Sequence, residues 1–427
     1  MINFFRDSKS ARVHLAVWTA AAMVGIAAVL FARLIGLTQS IFFEWFHRQP
    51  YWVSGLSPFI FVAAAAMVRY FAPDAKGSGI PQVLAAIEAS NQSKSEERVW
   101  ISNLVSIRTA IIKIISSTLG ILGGASIGRE GPTVQISSSI YSMIGRKLKQ
   151  TLPEIDTHSF LIAGAASGVA AAFNTPIAGI TFAIEEIVEG AFGEFRQIVM
   201  LGVIIAGIMA QALAGDYLYF GHPAVAKASL ILAPEVISIS ILGGLLGGGF
   251  AYLLSHPHLV PLPKKWWARA WLCGAICSLI GFYSHGDTAG SGYEITRRSL
   301  ESITENNANP GFPIFKISTT ILSYFSGMAG GIFSPCLSIG AAIGLSVAKL
   351  THFLNFKACA LIGMVAFFSA VVQAPLTAVI IVMEMTDEHI LILPFMITAF
   401  LAQAIGKKVM PVPLYKYLAS IYFKPNR

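Results

Sequence analysis

The sequence predicts an all-α integral membrane protein, folded as an inverted-repeat bundle of many tilted, partly spanning helices. Composition, the length of the apolar stretches and an internal repeat support this prediction. Hydrophobic residues make up 55% of the 427-residue chain, and charged residues make up only 12%. A soluble globular protein carries about 25% charged residues. A chain with this composition is expected in a lipid bilayer.

The apolar stretches approach the length of a spanning helix, which needs about 20 residues. They cover Val13–Ala32, Trp52–Val68, Ile198–Ala214, Val236–Leu254, Trp266–Tyr283, Leu361–Met383 and Ile390–Ala404. Several are short or are interrupted by glycine and proline, so we expect partly spanning helices among them. The first stretch lies between Arg12 and Arg33 without a clear small-residue cleavage site. It is therefore expected to be a retained helix rather than a signal peptide.

The net charge of +8 arises mainly from basic residues in loops and near both ends of the chain. This pattern predicts membrane topology rather than a nucleic-acid partner, with both termini in the cytoplasm and an even number of crossings. The terminal basic residues are Arg6, Lys9, Arg12, Lys407, Lys408, Lys416, Lys424 and Arg427. The four cysteines lie in apolar sequence without metal-ligand spacing, so we expect buried hydrophobic side chains and no metal site.

An internal repeat divides the chain into two related halves, at about 15–215 and 232–420. Residues of the first half recur 203 positions later (316 − 113) or 199 positions later (375 − 176) in the second. The matched pairs include Lys113 and Lys316, Gly128 and Gly331, Pro132 and Pro335, Pro176 and Pro375, and Glu185 and Glu384. We expect one transmembrane transport domain over 1–427, without a cytoplasmic regulatory domain. If each half crosses the membrane an odd number of times, the halves are antiparallel, and the substrate site lies between them.

Three glycine-rich strings end in proline just before helix-compatible sequence: GSGIP at 77–81, GREGP at 128–132 and GIFSP at 331–335. Proline is favoured in a first helical turn, and glycine allows the backbone to bend and approach a ligand closely. Each string therefore predicts an exposed helix N-terminus, which offers unpaired N–H donors and about half a positive charge. One such string could be a simple turn. Three together predict a site for a small anion.

Glu130 lies inside the second string, in an apolar part of the chain. An ionisable group at membrane depth costs at least about 2.5 kcal/mol, so it persists where it pairs, lines water or moves charge. A functional role for Glu130 in moving charge is therefore expected.

The three strings, in this order and spacing, resemble the signature strings of the CLC family of chloride channels and chloride/proton antiporters. Pro413-Leu414-Tyr415 resembles the late tyrosine of that family, so the resemblance covers about residues 15–420. It implies a homodimer with a separate pore in each subunit. It also implies a proton-coupled chloride antiporter in the cytoplasmic (inner) membrane of a prokaryote, with chloride, protons and the lipid bilayer as its partners.

The resemblance also implies roles for individual residues. Ser78 and Tyr415 would donate hydroxyl hydrogen bonds to a central chloride, and the backbone N–H groups of Ile332 and Phe333 would complete its shell. Glu130 corresponds to the external gating glutamate. Glu186 corresponds to the internal proton glutamate, where many passive channels of the family carry an apolar residue.

Other interpretations of these residues stay open at this point. Ser78 could cap a helix, and Tyr415 could be an interfacial aromatic residue. Lys113 matches a basic residue that the family places near the anion pathway, but Lys316 repeats it, so Lys113 could instead snorkel or line a vestibule. Arg129 could attract anions or form a structural ion pair. Glu185 and Glu384 are expected to be structural, since the repeat pairs them with each other.

Two other functions compete with this prediction. A passive chloride channel on the same scaffold is the nearer alternative. An intramembrane serine protease is the more distant one, but no serine lies in the GxSG string that it would need. No phosphate-binding string of the form GxxxxGK[ST] occurs either, so we expect transport without ATP, without a cofactor and without enzymatic activity.

Overall fold

The computed structural model describes residues 8–90, 103–151, 156–187, 196–215, 218–223, 225, 233–301, 311–351 and 355–423. The basic residues Arg6, Lys424 and Arg427 lie outside the described residues, as do parts of the polar segments between the predicted helices. The side of the membrane on which the termini lie therefore stays a prediction.

The described residues are helical, and their only β-pairing consists of two isolated bridges. In chain order the helices are α1 (Ser8–Arg48), α2 (Pro50–Phe71), α3 (Ile80–Ser90), α4 (Ile107–Leu122), α5 (Glu130–Lys149), α6 (Thr157–Phe173), α7 (Pro176–Phe182), α8 (Arg196–Ala214), α9 (Ala233–Ser255), α10 (Trp266–Tyr283), α11 (Tyr293–Glu301), α12 (Phe312–Phe325), α13 (Phe333–Leu350), α14 (Phe356–Val372), α15 (Pro375–Thr386), α16 (Ile392–Val409) and α17 (Leu414–Ser420). The all-α prediction is confirmed.

Helix length varies widely, as the broken apolar stretches predicted. Six helices, α1, α2, α8, α9, α13 and α16, are long and apolar enough to cross a membrane. In contrast, α7 and α17 have only 7 residues each. A helix rises 1.5 Å per residue, so these two cover about 10 Å and cannot span a bilayer.

The centre of the molecule is formed by α6 and α14, which are apolar on every face and buried along nearly their whole length. Each packs closely against the helix that follows a glycine-rich string. Gly363 of α14 meets the backbone of Gly340 in α13, and Gly164 of α6 meets the backbone of Ser138 in α5. Small residues let the backbones approach, which is how membrane helices gain van der Waals contact. This packing fixes the first turns of α5 and α13.

The first string, GSGIP, has a counterpart in the second half that the sequence analysis missed, the Gly-Ser-Gly string at 290–292. Gly77 and Gly79 have φ values of 63° and 101°, and Gly290 and Gly292 have φ values of 65° and 80°. These four glycines flank Ser78 in one half and Ser291 in the other. Left-handed backbone of this kind favours glycine. The shared geometry supports the prediction that the halves are related.

A buried lysine holds each of these two strings. Lys113 Nζ donates to Gly77 O at 2.9 Å, and Lys316 Nζ donates to Gly290 O at 2.8 Å. Both lysine side chains are fully buried. The snorkelling and vestibule-lining interpretations of Lys113 are therefore wrong, because its ammonium group lies inside the protein and anchors the backbone of GSGIP.

Candidate anion-binding site

Backbone hydrogen bonds join the three glycine-rich strings into one centre. Gly128 and Gly331 exchange N–H···O bonds of 2.7 and 2.8 Å. Gly77 N–H donates to Met328 O at 2.9 Å and Gly77 O accepts from Gly330 N–H at 3.0 Å. GIFSP and the residues just before it thus contact both other strings, and residues more than 200 positions apart meet at one point.

Each string leads directly into the first turn of a helix, as the prolines predicted. The first hydrogen bond of α5 is donated by Thr133 N–H to Arg129 O (2.9 Å), and the first of α13 is donated by Cys336 N–H to Ile332 O (3.0 Å). The N–H groups of Ile332 and Phe333 therefore precede the hydrogen-bond ladder of α13. They belong to the orphan donors that every helix N-terminus carries.

The hydroxyl groups of Ser78 and Tyr415 lie close together beside these helix starts. Both side chains are buried, and neither hydroxyl has a hydrogen bond of good geometry within the described part of the chain. Buried polar groups normally find partners, so two unsatisfied hydroxyls indicate a place for a ligand. The helix-capping interpretation of Ser78 is wrong, because its hydroxyl caps no N–H group. The interfacial interpretation of Tyr415 is also wrong, because its side chain is fully buried.

Glu130 is the first residue of α5, and its buried carboxylate lies between the starts of α5 and α13. Oε1 accepts a hydrogen bond from the Tyr219 hydroxyl at 3.1 Å and lies 4.0 Å from Arg129 Nε. Oε2 has no hydrogen-bond partner among the described residues. It faces Gly128, and a Cβ atom built on Gly128 would also lie close to Pro335 and Ser334 of α13. The side chain of Glu130 therefore occupies the space between two helix N-termini.

Glycine is required where the strings touch. A Cβ atom on Gly131 would collide with Ser78 Oγ, and one on Gly128 would collide with the Glu130 carboxylate. A Cβ atom on Gly331 would lie 3.0 Å from Pro132 Cδ and 3.1 Å from Gly128 O. The absence of side chains at these positions brings the hydroxyl, the carboxylate and the helix starts within reach of one small ion.

Glu186 lies in a π-helical turn, Ala183–Ile187, that continues α7. Its side chain is buried, and Oε1 has no hydrogen-bond partner in the described residues. Its charged neighbours are Lys416 and Glu185, and the Tyr415 side chain lies close enough for an electrostatic interaction with it. Turns of this kind occur frequently at functional sites. Glu186 thus approaches the candidate site from the Tyr415 side, whereas Glu130 contacts it through α5 and α13.

Glu185 points away from this centre, despite being the next residue in the chain. Its carboxylate accepts backbone N–H bonds from Leu376 (3.0 Å) and Thr377 (2.7 Å) in the first turn of α15. This contact fits the structural role that the repeat predicted for Glu185.

A cavity of about 620 Å³ opens beside Glu130 and is lined by both Arg129 and Tyr219. We call it the vestibule. The charged side chains that line it are Arg33, Arg129, Arg298 and Glu294. Arginines outnumber carboxylates, so the vestibule favours anions near the carboxylate of Glu130.

Tyr219 is a site residue that the sequence analysis missed. It follows α8 in a segment without a glycine-proline string, and 89 positions separate it from Glu130. A single tyrosine after an apolar helix is most often an interfacial residue, so no local signal could have identified it.

The four cysteines are buried, as predicted, and the described residues contain no group of three His, Cys, Asp or Glu side chains suited to a metal ion.

Comparison with solved structures identifies proteins of the same fold. The fold is similar to the X-ray crystal structure of a slow cyanobacterial Cl⁻/H⁺ antiporter, with a TM-score of 0.84 and 25% identity over 97% of this chain and 99% of that one. It is also similar to a CLC-type fluoride/proton antiporter (TM-score 0.77, 19% identity, 95% of this chain and 97% of that one). A eukaryotic CLC transporter matches with a TM-score of 0.74 and 19% identity, over 95% of this chain and 74% of that one.

The two lower identities establish the shared fold alone. The sequence itself matches the family model described as "Voltage gated chloride channel" over residues 59–407. This match covers most of the chain and includes GSGIP, GREGP and GIFSP. The protein is therefore a multi-pass membrane protein that belongs to the voltage-gated chloride channel (CLC) family.

Proposed function

We propose that the protein exchanges chloride for protons across the cytoplasmic membrane of a prokaryote. The observation that carries the proposal is the position of Glu130, whose carboxylate lies between the first turns of α5 and α13. A carboxylate and a chloride ion compete for the same donors there. Protonation of Glu130 would remove its attraction to the helix N-termini, so chloride could take its place.

The chloride site proposed here uses neutral donors. The hydroxyls of Ser78 and Tyr415 are buried and lack partners of good geometry among the described residues. Together with the N–H groups of Ile332 and Phe333, they offer four hydrogen-bond donors without a full positive charge. Such a site binds an anion and still releases it, which transport requires.

The proton route proposed here needs a second acid, and Glu186 is suited to that role. Its buried carboxylate oxygen without a hydrogen-bond partner in the described residues lies near Tyr415, away from Glu130. Two acids on different sides of the anion site allow a proton to enter from each side. The likeness to a Cl⁻/H⁺ antiporter at 25% identity also favours exchange.

The proposal includes a homodimer with one pore per subunit. Exposed apolar side chains lie along α16, among them Leu393, and Ile177 on α7 and Leu376 on α15 are exposed as well. Since α7 is too short to span the bilayer, a protein surface is expected to cover it.

An enzymatic function is not proposed: the buried Ser78 hydroxyl has no histidine partner among the described residues, so it lacks the activating base of a serine nucleophile.

Flux measurement in proteoliposomes tests the proposal. A chloride gradient imposed across vesicles that contain the purified protein should drive protons uphill, measured with a pH electrode in weakly buffered medium. Empty vesicles and vesicles with the Glu130→Gln variant serve as controls. Chloride flux with a reversal potential indifferent to pH would instead identify a passive channel, and absence of chloride flux would contradict both functions.

A further inference from the structure

Tyr219 makes a direct contact with the carboxylate that the proposed function places at the gate. Its hydroxyl donates to Glu130 Oε1 at 3.1 Å and lies 3.4 Å from Ser334 Oγ. Hydrogen bonds from a neutral donor to a carboxylate are among the stronger ones in proteins. We propose that Tyr219 is a positioning residue that holds the ionised Glu130 side chain between the two helix N-termini. This inference rests on the gating role proposed for Glu130.

The ring of Tyr219 is fixed by its aromatic neighbours, so its hydroxyl has a defined position. Ring centroids lie 4.8 Å from Tyr293, 5.0 Å from Phe220 and 5.6 Å from Phe173. Edge-to-face contacts at these separations stabilise aromatic pairs. The side chain is buried, and it does not swing freely into the vestibule.

The backbone of this segment is held as well. Phe220 N–H donates to Met385 O at 3.0 Å, which connects the segment to the end of α15. A donor on a fixed ring and a fixed backbone loses little entropy when it binds a carboxylate. It therefore favours one position of Glu130 over the others.

Arg129 acts on the same pair of side chains. Its guanidinium carbon lies 5.6 Å from the centroid of the Tyr219 ring, and its Nε lies 4.0 Å from Glu130 Oε1. Arg129 and Tyr219 are the titratable groups that the described residues place against Glu130, while Ser334 and Pro335 from α13 are neutral. The cation lies farther from the carboxylate than the phenol does. The phenol hydroxyl is thus the direct hydrogen-bond donor to Oε1.

The expected effect of this hydrogen bond has a definite sign. The bond stabilises the ionised, closed side chain, so its loss makes protonation and opening easier. Opening then occurs at a lower proton concentration, which means at a higher external pH. In Tyr219→Phe we expect the midpoint of chloride flux against external pH to rise by about one unit, a tenfold change in proton concentration. Proton coupling should persist, because Glu130 can still be protonated.

The experiment compares chloride and proton flux of the wild type, Tyr219→Phe and Tyr293→Phe across external pH in proteoliposomes. Tyr219→Phe keeps the ring, its aromatic contacts and its contact with Arg129. Tyr293→Phe is the matched control, because it removes a phenol hydroxyl from the same cluster. That hydroxyl accepts from Arg297 Nη1 at 3.3 Å rather than contacting Glu130. Thermal unfolding in detergent checks that both variants fold.

The inference predicts a raised midpoint in Tyr219→Phe alone, with the ratio of chloride to protons unchanged. A pH-dependent wild type with an identical profile in Tyr219→Phe would overturn the inference and leave the proposed function intact. Equal shifts in both tyrosine variants would also overturn it, because the effect would then belong to the packing of the cluster. A wild type that moves no chloride, or moves it without pH dependence, would mark the failure of the proposed function instead.

Discussion

Glu185 and Glu384 cap each other's helices across the two halves of the chain. Glu185, just after α7, accepts N–H bonds from the first turn of α15, and Glu384, near the end of α15, accepts N–H bonds from Ile177 (3.1 Å) and Ala178 (2.7 Å) in α7. The two short helices thus lie antiparallel, each with a carboxylate at the start of its neighbour. A negative charge is stabilised there by the helix dipole.

The reciprocal caps predict a stability defect without a transport defect. Glu384→Gln should lower the free energy of unfolding by about 1 kcal/mol, because an amide replaces a carboxylate that caps two N–H groups. Thermal unfolding in detergent measures the loss, and chloride flux should stay near the wild-type rate. Glu44→Gln is the matched control, since Glu44 pairs only with Arg48 on an exposed face of α1. An unchanged unfolding temperature in Glu384→Gln would contradict the structural role.

The contact between Gly131 and Ser78 predicts that the anion site tolerates no side chain at position 131. Gly131→Ala should reduce chloride affinity at least tenfold, measured by isothermal titration calorimetry, because its Cβ atom would displace the Ser78 hydroxyl. Gly249→Ala is the control, since a Cβ atom there meets no atom within 4 Å. That control should bind chloride normally, and alanine should make its helix slightly more stable. Normal chloride affinity in Gly131→Ala would place the anion elsewhere.

Ser78 itself is predicted to set the choice of anion. Ser78→Pro removes one of the four donors of the proposed chloride site, so the flux ratio of chloride to nitrate should fall. Ser117→Ala is a suitable control, because Ser117 is another buried serine whose hydroxyl has no hydrogen-bond partner in the described residues, and it lies in α4. If the anion preference of Ser78→Pro equals that of the wild type, Ser78 does not contact the transported ion.

The two buried acids are predicted to fail in different ways. Glu130→Gln imitates the protonated gate, so chloride should still move while proton flux and pH dependence disappear. Glu186→Gln should also abolish proton flux, but its chloride flux should stay sensitive to external pH because Glu130 remains. Chloride and proton flux measured in both variants across external pH separate these outcomes.

Glu185→Gln is the control for the second acid, because it removes the neighbouring carboxylate, which caps α15. Its proton coupling should match that of the wild type. Uphill proton pumping by Glu186→Gln together with lost coupling in Glu185→Gln would transfer the relay role to Glu185.

The site could be predicted largely from the sequence because its chemistry is local. Glycine followed by proline at a helix start is a short-range signal, and it placed Ser78, Glu130 and Phe333 at the first turns of three helices or just before them. The internal repeat also predicted a structural role for Glu185 and Glu384. The contact of Lys113 with Gly77 O was not predicted, because the two residues lie 36 positions apart and only the fold brings them together. Tyr219 was missed for the same reason.

The hydrogen bonds between the glycine strings limit how the protein can move. Opening a pore by rocking the halves apart would break both bonds between Gly128 and Gly331 and the two bonds that join Gly77 to Met328 and Gly330. In a dry interior each broken backbone bond leaves two polar groups unsatisfied, at several kcal/mol per group. We therefore expect the backbone to stay closed throughout the cycle. The part that alternates between the two sides of the membrane is then the side chain of a single glutamate. Slow amide exchange at Gly128 and Gly331 during turnover would show that the backbone stays closed.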